Sequence, residues 1–195
     1  MSIGDAEIKT QERVIRFFKD PEILGYQYIG NLSDQQNKNI KEDRLRQYLR
    51  LKGYADKLID AAVMQLHQEA GNLSRGVYDA NKTVYSRLKY GIPVSESPEK
   101  PPVTVELIDE TNPLNNDFAI AEEVTVVEQQ EKRPDLVIYL NGIAVAVIEL
   151  KRSSISVSEG IRQNLTNQKD SFIRGFLTTM QFCMAGNESE GLRYG

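Results

Sequence analysis

The chain reads as an α/β protein: a mixed central sheet flanked by helices, preceded by a mainly helical N-terminal part. Three observations predict this. Leu58, Ala62, Leu66 and Ala70 repeat at helical spacing, with Ile59 and Val63 beside them, so one face of a long helix is apolar. Further on, two β-branched runs flank Asn141-Gly142, a strong hairpin-turn pair. Val137, Val145 and Val147 alternate with Leu136, Ile138, Ala144, Ala146 and Ile148, so both faces of that hairpin are apolar and both require cover.

The elements follow in order. Residues 1–90 are mainly helical. Gln11 to Phe18 carries Val14, Ile15, Phe17 and Phe18 and stops near Asp20-Pro21; Lys41 to Leu51 repeats Leu45, Tyr48 and Leu49; Tyr54 to Ala70 ends at Gly71-Asn72. Residues 91–195 hold strands and one long helix. Pro93, Pro98, Pro101, Pro102 and Pro113 keep long helices out of Gly91 to Asn116, leaving Val103 to Ile108 as a short edge strand. Asp117 to Val127 can add another strand. Ser156 or Ser158 can cap a helix running to about Arg174, with Ile161, Leu165 and Phe172 as its stripe. Phe176 to Met184 suits a strand, and Gly186-Asn187 a turn toward Leu192-Arg193-Tyr194.

Composition narrows the function. At 195 residues the chain suits one domain with a sizeable core. A single cysteine, Cys183, excludes an internal disulfide and a cysteine-cluster zinc site; a single histidine, His67, argues against a histidine-based metal centre. No signal peptide and no membrane-length apolar run is present, so cytoplasmic residence is expected. The net charge of −4 argues against a free-standing nucleic-acid binder. It leaves room for an enzyme whose DNA is delivered by another module, with Lys151, Arg152, Arg162, Lys169 and Arg174 available to touch phosphates.

Asp135, Glu149 and Lys151 stand at the ends of the two buried runs. Charge beside a core strand is unfavourable unless it is paired or bound to metal. A hard cation such as Mg²⁺ takes one or two carboxylates plus waters and substrate phosphate, which makes Asp135 and Glu149 candidate ligands and the Leu150 carbonyl a third. Lys151, two residues after Glu149, shares its strand face and can orient water or stabilise transition-state charge. The competing reading is a charged cluster that is solvated or ion-paired. Strand parity separates the two. A two-residue loop pairing Leu140 with Ile143 would pair Asp135 with Ile148, on the face away from Glu149. A three-residue loop pairs Tyr139 with Ile143 and Asp135 with Val147, leaving Asp135 diagonal to Glu149 at about 7 Å. The metal-site reading therefore expects an odd-length or bulged turn at Asn141-Gly142.

Pro134-Asp135 followed by Glu149-Leu150-Lys151 resembles the PD-(D/E)xK nuclease superfamily. Arg133-Pro-Asp-Leu-Val137, Asn141-Gly-Ile-Ala-Val145, Ile148-Glu-Leu-Lys151 and Leu192-Arg-Tyr-Gly195 resemble, more narrowly, the N-terminal nuclease region of type I restriction enzyme R subunits, which join a motor to an endonuclease. Asn81 to Val94 resembles that family's segment upstream of the nuclease strands, and the likeness runs from about residue 8 to 195. It implies a restriction-endonuclease-like fold and a type I site-specific deoxyribonuclease acting on double-stranded DNA. Asp135, Glu149 and Lys151 would be catalytic, with Mg²⁺ on Asp135 and Glu149. Gln163 matches the family glutamine, as a site-shaping or DNA-contacting residue; Asn167 stands where tyrosine is usual, four residues later. Nucleases of this superfamily often draw one more acid from an early helix, and Glu12 is in a suitable place. Tyr139 could pack beside the site.

The sequence has no Gly-x-x-x-x-Gly-Lys-Ser/Thr loop, so ATP is expected only in motor domains of a longer chain. The remaining implied partners are DNA and the specificity and methyltransferase subunits, with no membrane. The alternative function is a catalytically silent docking domain that keeps the nuclease fold and binds the rest of the complex.

Overall fold

The computed structural model describes residues 5–97 and 99–194. Pro98 and Gly195, singled out above, lie outside the described residues. Helix α1 (Asp5–Lys19) leads to strand β1 (Gln27–Asn31), then α2 (Glu42–Leu51), α3 (Asp56–Gly71) and α4 (Val77–Tyr90). Short strands β2 (Ile92–Val94) and β3 (Val103–Val105) form a separate ribbon. β4 (Phe118–Glu122), β5 (Val126–Val127), β6 (Glu131–Lys132), β7 (Leu136–Leu140) and β8 (Ile143–Leu150) follow. Helix α5 (Val157–Asn167), β9 (Phe182–Asn187) and β10 (Gly191–Tyr194) complete the described chain.

Six strands make a mixed sheet in the order β1-β4-β7-β8-β9-β10. β1 is parallel to β4 and β9 is parallel to β8; the other pairs are antiparallel. The β8–α5–β9 segment is a crossover, the connection a parallel pair requires. The fold is α/β with a central mixed sheet flanked by helices, in agreement with the restriction-endonuclease-like expectation.

Both faces of the central strands are buried, as the two-sided apolar pattern demands, while Phe182 and Tyr194 stay exposed at the β9–β10 end of the sheet. On one face Ala119, Ala121, Val137, Tyr139, Ala144 and Val147 pack with Ile173, Phe176, Leu177 and Met180. On the other, Ile120, Leu136, Ile138, Ala146, Ile148 and Leu150 meet Ile15, Val14 and Phe18 of α1. A third cluster joins α2, α3 and α4 through Leu45, Leu49, Ile59, Leu66 and Val84, and takes in Ile143 from the start of β8.

The hairpin departs from expectation in one instructive way. Its turn is a two-residue loop: Leu140 pairs with Ile143, and Asn141 and Gly142 have φ of 51° and 82°. Positive φ at both central residues is what a tight, twist-compatible hairpin turn requires. The irregularity lies three residues further along. Tyr139 pairs with Ala144 but Ile138 pairs with Ala146, so Val145 is an extra residue in β8. This bulge swaps the expected faces. Ala144 joins the Val137 face, and Val145 packs with the opposite one. The Val145 carbonyl accepts a 2.7 Å hydrogen bond from the Gln181 N–H, which gives the bulge a partner at the entry to β9.

Other elements shift too. α5 ends at Asn167, short of Arg174. Its inward residues are Val157, Gly160, Asn164 and Asn167, whereas Ile161 and Leu165 are exposed. The reason is close approach: a Cβ on Gly160 would lie 2.8 Å from the Ala185 Cβ, so the glycine face is the one that seats on the sheet. Phe176–Thr179 is a buried 3₁₀ turn, and the strand starts later, at Phe182. The Glu128 carboxylate holds that turn by accepting from the Gly175 and Phe176 N–H groups at 2.9 and 2.6 Å. Gly186 and Asn187 belong to β9, and Asn187 Oδ1 caps the following turn by accepting from the Ser189 and Glu190 N–H groups. β1 interrupts the helical first ninety residues.

Candidate active site

The Val145 bulge carries a consequence for the end of the hairpin. Beyond it the register is Val137 with Val147 and Leu136 with Ile148. Asp135, one residue before Leu136, therefore stands across from Glu149, and paired residues share a face. The parity that the two-residue turn would have broken is restored inside β8. Asp135 Oδ2 accepts a 2.6 Å hydrogen bond from the Leu150 N–H, so its carboxylate lies against the β8 backbone between Glu149 and Lys151.

Glu149 is the centre of the cluster. Its side chain is 0% exposed. Burying an isolated carboxylate costs several kcal/mol, so compensation is required. Lys151 Nζ lies 3.8 Å from Glu149 Oε2 and is 18% exposed, reaching the same side of the sheet from two residues along the chain. Gln163 Nε2 donates to the same oxygen at 2.6 Å from the inner face of α5. The helix is well placed for this because its first turn is capped: the Ser156 hydroxyl accepts from the Ser158 N–H, and the Glu190 carboxylate accepts from the Val157 N–H at 3.0 Å. Asn164 Nδ2 ties the helix to the Met184 carbonyl at 3.0 Å.

The structure brings Asp135, Glu149, Lys151 and Gln163 together. Asn167 sits one turn after Gln163 on the same face of α5 and is buried. Glu12 is not drawn in; it is exposed on α1. Its neighbour Gln11 is buried instead and donates to Glu122 at 2.9 Å and Glu123 at 3.2 Å. Tyr139 is wholly buried on the site face, four residues along the chain from Asp135, where Lys41 Nζ lies 5.2 Å from its ring centre. Burial raises its phenol well above the usual range. Of the basic residues proposed for phosphate contact, Arg162 and Arg174 pair with Glu159 and Asp170.

Two residues near the site escaped the sequence reading. Gly160 permits the close seat of α5, and a glycine inside a helix pattern was the available signal. Cys183 pairs with Val147 in the parallel β8–β9 ladder. Burial, and secondly the Glu149 charge, raise its thiol pKa. A lone cysteine in a strand gives no signal of that neighbourhood.

Among the described residues, no three His, Cys, Asp or Glu side chains form a closed metal cage. Mg²⁺ does not need one, since it is commonly held by one or two carboxylates with waters and phosphate completing the shell. Two carboxylates opposed across a hairpin, with a lysine and an amide beside one of them, match that donor chemistry.

The sequence model for the type I restriction enzyme R protein N terminus matches residues 7–195. The chain belongs to this family. A Methanocaldococcus jannaschii protein, provisionally named as type I restriction enzyme MjaIXP endonuclease subunit, is 28% identical over 122 residues. That match covers 58% of the present chain and 12% of the relative, so the chain spans a small part of that protein's length. The family match extends across both the helical part and the strands that carry the Asp135–Glu149 pair.

Proposed function

We propose that the chain is a Mg²⁺-dependent endonuclease domain that cleaves double-stranded DNA within a type I restriction–modification complex. One observation carries the reading: Asp135, Glu149, Lys151 and Gln163 converge at one end of the β7–β8 hairpin, on one face, around a fully buried carboxylate. Family membership supports it, because an R protein belongs to a restriction system. On this reading residues 1–195 are one nuclease domain of a longer subunit. ATP-dependent motor domains of that subunit would supply the DNA, specificity and methyltransferase subunits would supply recognition, and the assembly would act in the cytoplasm.

Asp135 and Glu149 would hold the ion. When bound, Mg²⁺ lowers the pKa of a coordinated water and neutralises charge on the scissile phosphate. The protein's own groups do the rest. Leu150 N–H fixes the Asp135 carboxylate, and Gln163 fixes that of Glu149, so both are oriented before substrate arrives. Lys151 is placed to leave Glu149 when a cation takes over its charge, and to donate to the attacking water or to a non-bridging phosphate oxygen.

The test uses the intact assembly with DNA, ATP and Mg²⁺. Asp135→Ala and Glu149→Ala should abolish cleavage while ATP hydrolysis continues. Calorimetry should show Mg²⁺ binding that both substitutions remove. Wild-type cleavage in either variant would overturn the assignment. Absence of carboxylate-dependent Mg²⁺ binding would favour a silent docking domain instead.

A further inference from the structure

Beside the carboxylate cluster lies a cavity of about 290 Å³ that the proposed reaction does not use. Its walls come from the first turns of α4, the residue after α5, the 3₁₀ turn and the start of β9. None of its lining side chains is charged. Leu177 and Met180 give it apolar surface, while Tyr78, Asn81, Gln168 and Gln181 give it neutral hydrogen-bonding groups. The cavity is connected to the site by Cys183, which lines it and is the ladder partner of Val147. Glu149 is one two-residue step further along the same face, about 6.6 Å.

Each property narrows the ligand. A phosphate or carboxylate would want a cation, which the lining lacks, and a metal ion would want several carboxylate, imidazole or thiolate ligands, of which the lining has Cys183 alone. Apolar walls with a few amide groups suit a flat, uncharged heterocycle that offers donors and acceptors at its edge. Asn81 is already oriented: its Nδ2 donates to the Thr178 and Met180 carbonyls at 3.1 and 2.6 Å, leaving its carbonyl oxygen to accept from a ligand. At the mouth, Tyr78 is 75% exposed. That exposure has no role in packing, but an exposed ring is a stacking platform for a base of any sequence.

We infer that this cavity takes one nucleobase, unstacked from its strand, next to the phosphate that lies over Asp135 and Glu149. The inference rests on the nuclease reading and adds to it a binding subsite. Tyr78 stacks on the base, and Asn81, Gln168 and Gln181 meet its edge without selecting one sequence. A base held there fixes the strand at the scissile position, in an enzyme whose recognition of sequence resides elsewhere.

The experiment uses the intact protein and duplex DNA in which 5-iodouracil replaces thymine. Long-wavelength irradiation, followed by peptide mass spectrometry, should locate a crosslink at Tyr78, in wild type and in Asp135→Ala alike. Tyr78→Ala should weaken DNA binding about tenfold, and Tyr78→Phe should bind as wild type, since stacking needs the ring and not the hydroxyl. Tyr78 is exposed, so these variants should fold. Crosslinks confined to other sites, or unchanged binding by Tyr78→Ala, would overturn the inference while leaving the nuclease reading standing. Wild-type cleavage by Asp135→Ala would instead remove the assignment of the reaction to the Asp135–Glu149 site. A protein that neither binds nor cuts DNA would remove both.

Discussion

Replacing Gly142 by alanine tests the turn on which the site-bearing hairpin is built. The Gly142 φ of +82° lies where an L residue with a Cβ is strained, at a cost of about 1–2 kcal/mol. The added atom also has nowhere to go. It would lie 2.6 Å from the Lys41 carbonyl oxygen, 2.8 Å from the Leu45 nitrogen and 2.9 Å from the Arg44 Cβ. Two of these three are backbone atoms at the entry to α2. They are held by the Lys41 N–H donating to the Gly142 carbonyl at 2.7 Å, and by the Leu45 N–H donating to the Lys41 carbonyl at 3.2 Å. Relief therefore requires α2 to shift against the core, a form of overpacking that costs about 1–3 kcal/mol. The sum is about 2–5 kcal/mol. With a urea slope on the order of 2 kcal/mol/M, the unfolding midpoint should fall by about 1–2.5 M. A fall under about 0.3 M with an unchanged slope would refute the close approach of the turn to α2.

Three further outcomes follow from the site and from one buried carboxylate. Lys151→Ala should reduce DNA cleavage by about two to three orders of magnitude, the scale of one lost electrostatic stabiliser, measured as initial rate in the intact assembly with its ATPase as control; near wild-type cleavage would remove Lys151 from the reaction. Gln163→Ala should lower cleavage or Mg²⁺ affinity about 10–100-fold by releasing Glu149, and an unaltered Mg²⁺ titration and cleavage rate would show the amide to be dispensable. Asp109 accepts from Asn115 Nδ2 at 2.9 Å, the Asn112 N–H at 2.8 Å and Lys52 Nζ at 2.9 Å, which hold its carboxyl well below the usual carboxylate range. A depressed folded-state pKa stabilises the fold above the unfolded value of about 4, and that contribution is lost as pH falls toward the folded value. Asp109→Asn should thus be less stable than wild type in urea at pH 7, and the gap should narrow on acidification below about pH 4; a gap independent of pH would disprove the linkage.

Local signals in the sequence were reliable where local physics decides. The α3 stripe of Leu58, Ala62, Leu66 and Ala70 is buried as its period implies, and α2 ends at Leu51 as expected. The two apolar runs around Asn141-Gly142 are adjacent central strands. Failures came where a distant group decides. Phe176–Thr179 has strand-like residues, but the Glu128 carboxylate and the Asn81 amide organise it as a 3₁₀ turn. Both partners are remote in sequence, and nothing in the segment itself announces them. β1 is five residues long and pairs in parallel with β4, about ninety positions away, so its evidence also lies outside its own text.

The candidate site shows the same division. Residue types at the ends of two buried runs pointed to Asp135, Glu149 and Lys151, and resemblance added Gln163. Their convergence required a parity change that was legible as a need but not as a place. An Asn-Gly pair forms a two-residue turn well, so the extra residue is found in β8 itself, at Val145, where the Gln181 N–H can pair with its carbonyl. α5 inverts the usual amphipathic logic for a related reason. Its apolar residues Ile161 and Leu165 face outward, with Leu165 59% exposed, while Gln163, Asn164 and Asn167 face the sheet. A helix that must bring an amide to a buried carboxylate cannot also bury a leucine stripe at that position. Hydrophobic periodicity reads the helix backwards here, because the sheet beneath α5 presents Glu149 and a strand carbonyl where a structural core would present apolar side chains. Departure of a local rule at a clustered charge is what the proposed nuclease site would produce, with chemistry outweighing packing there.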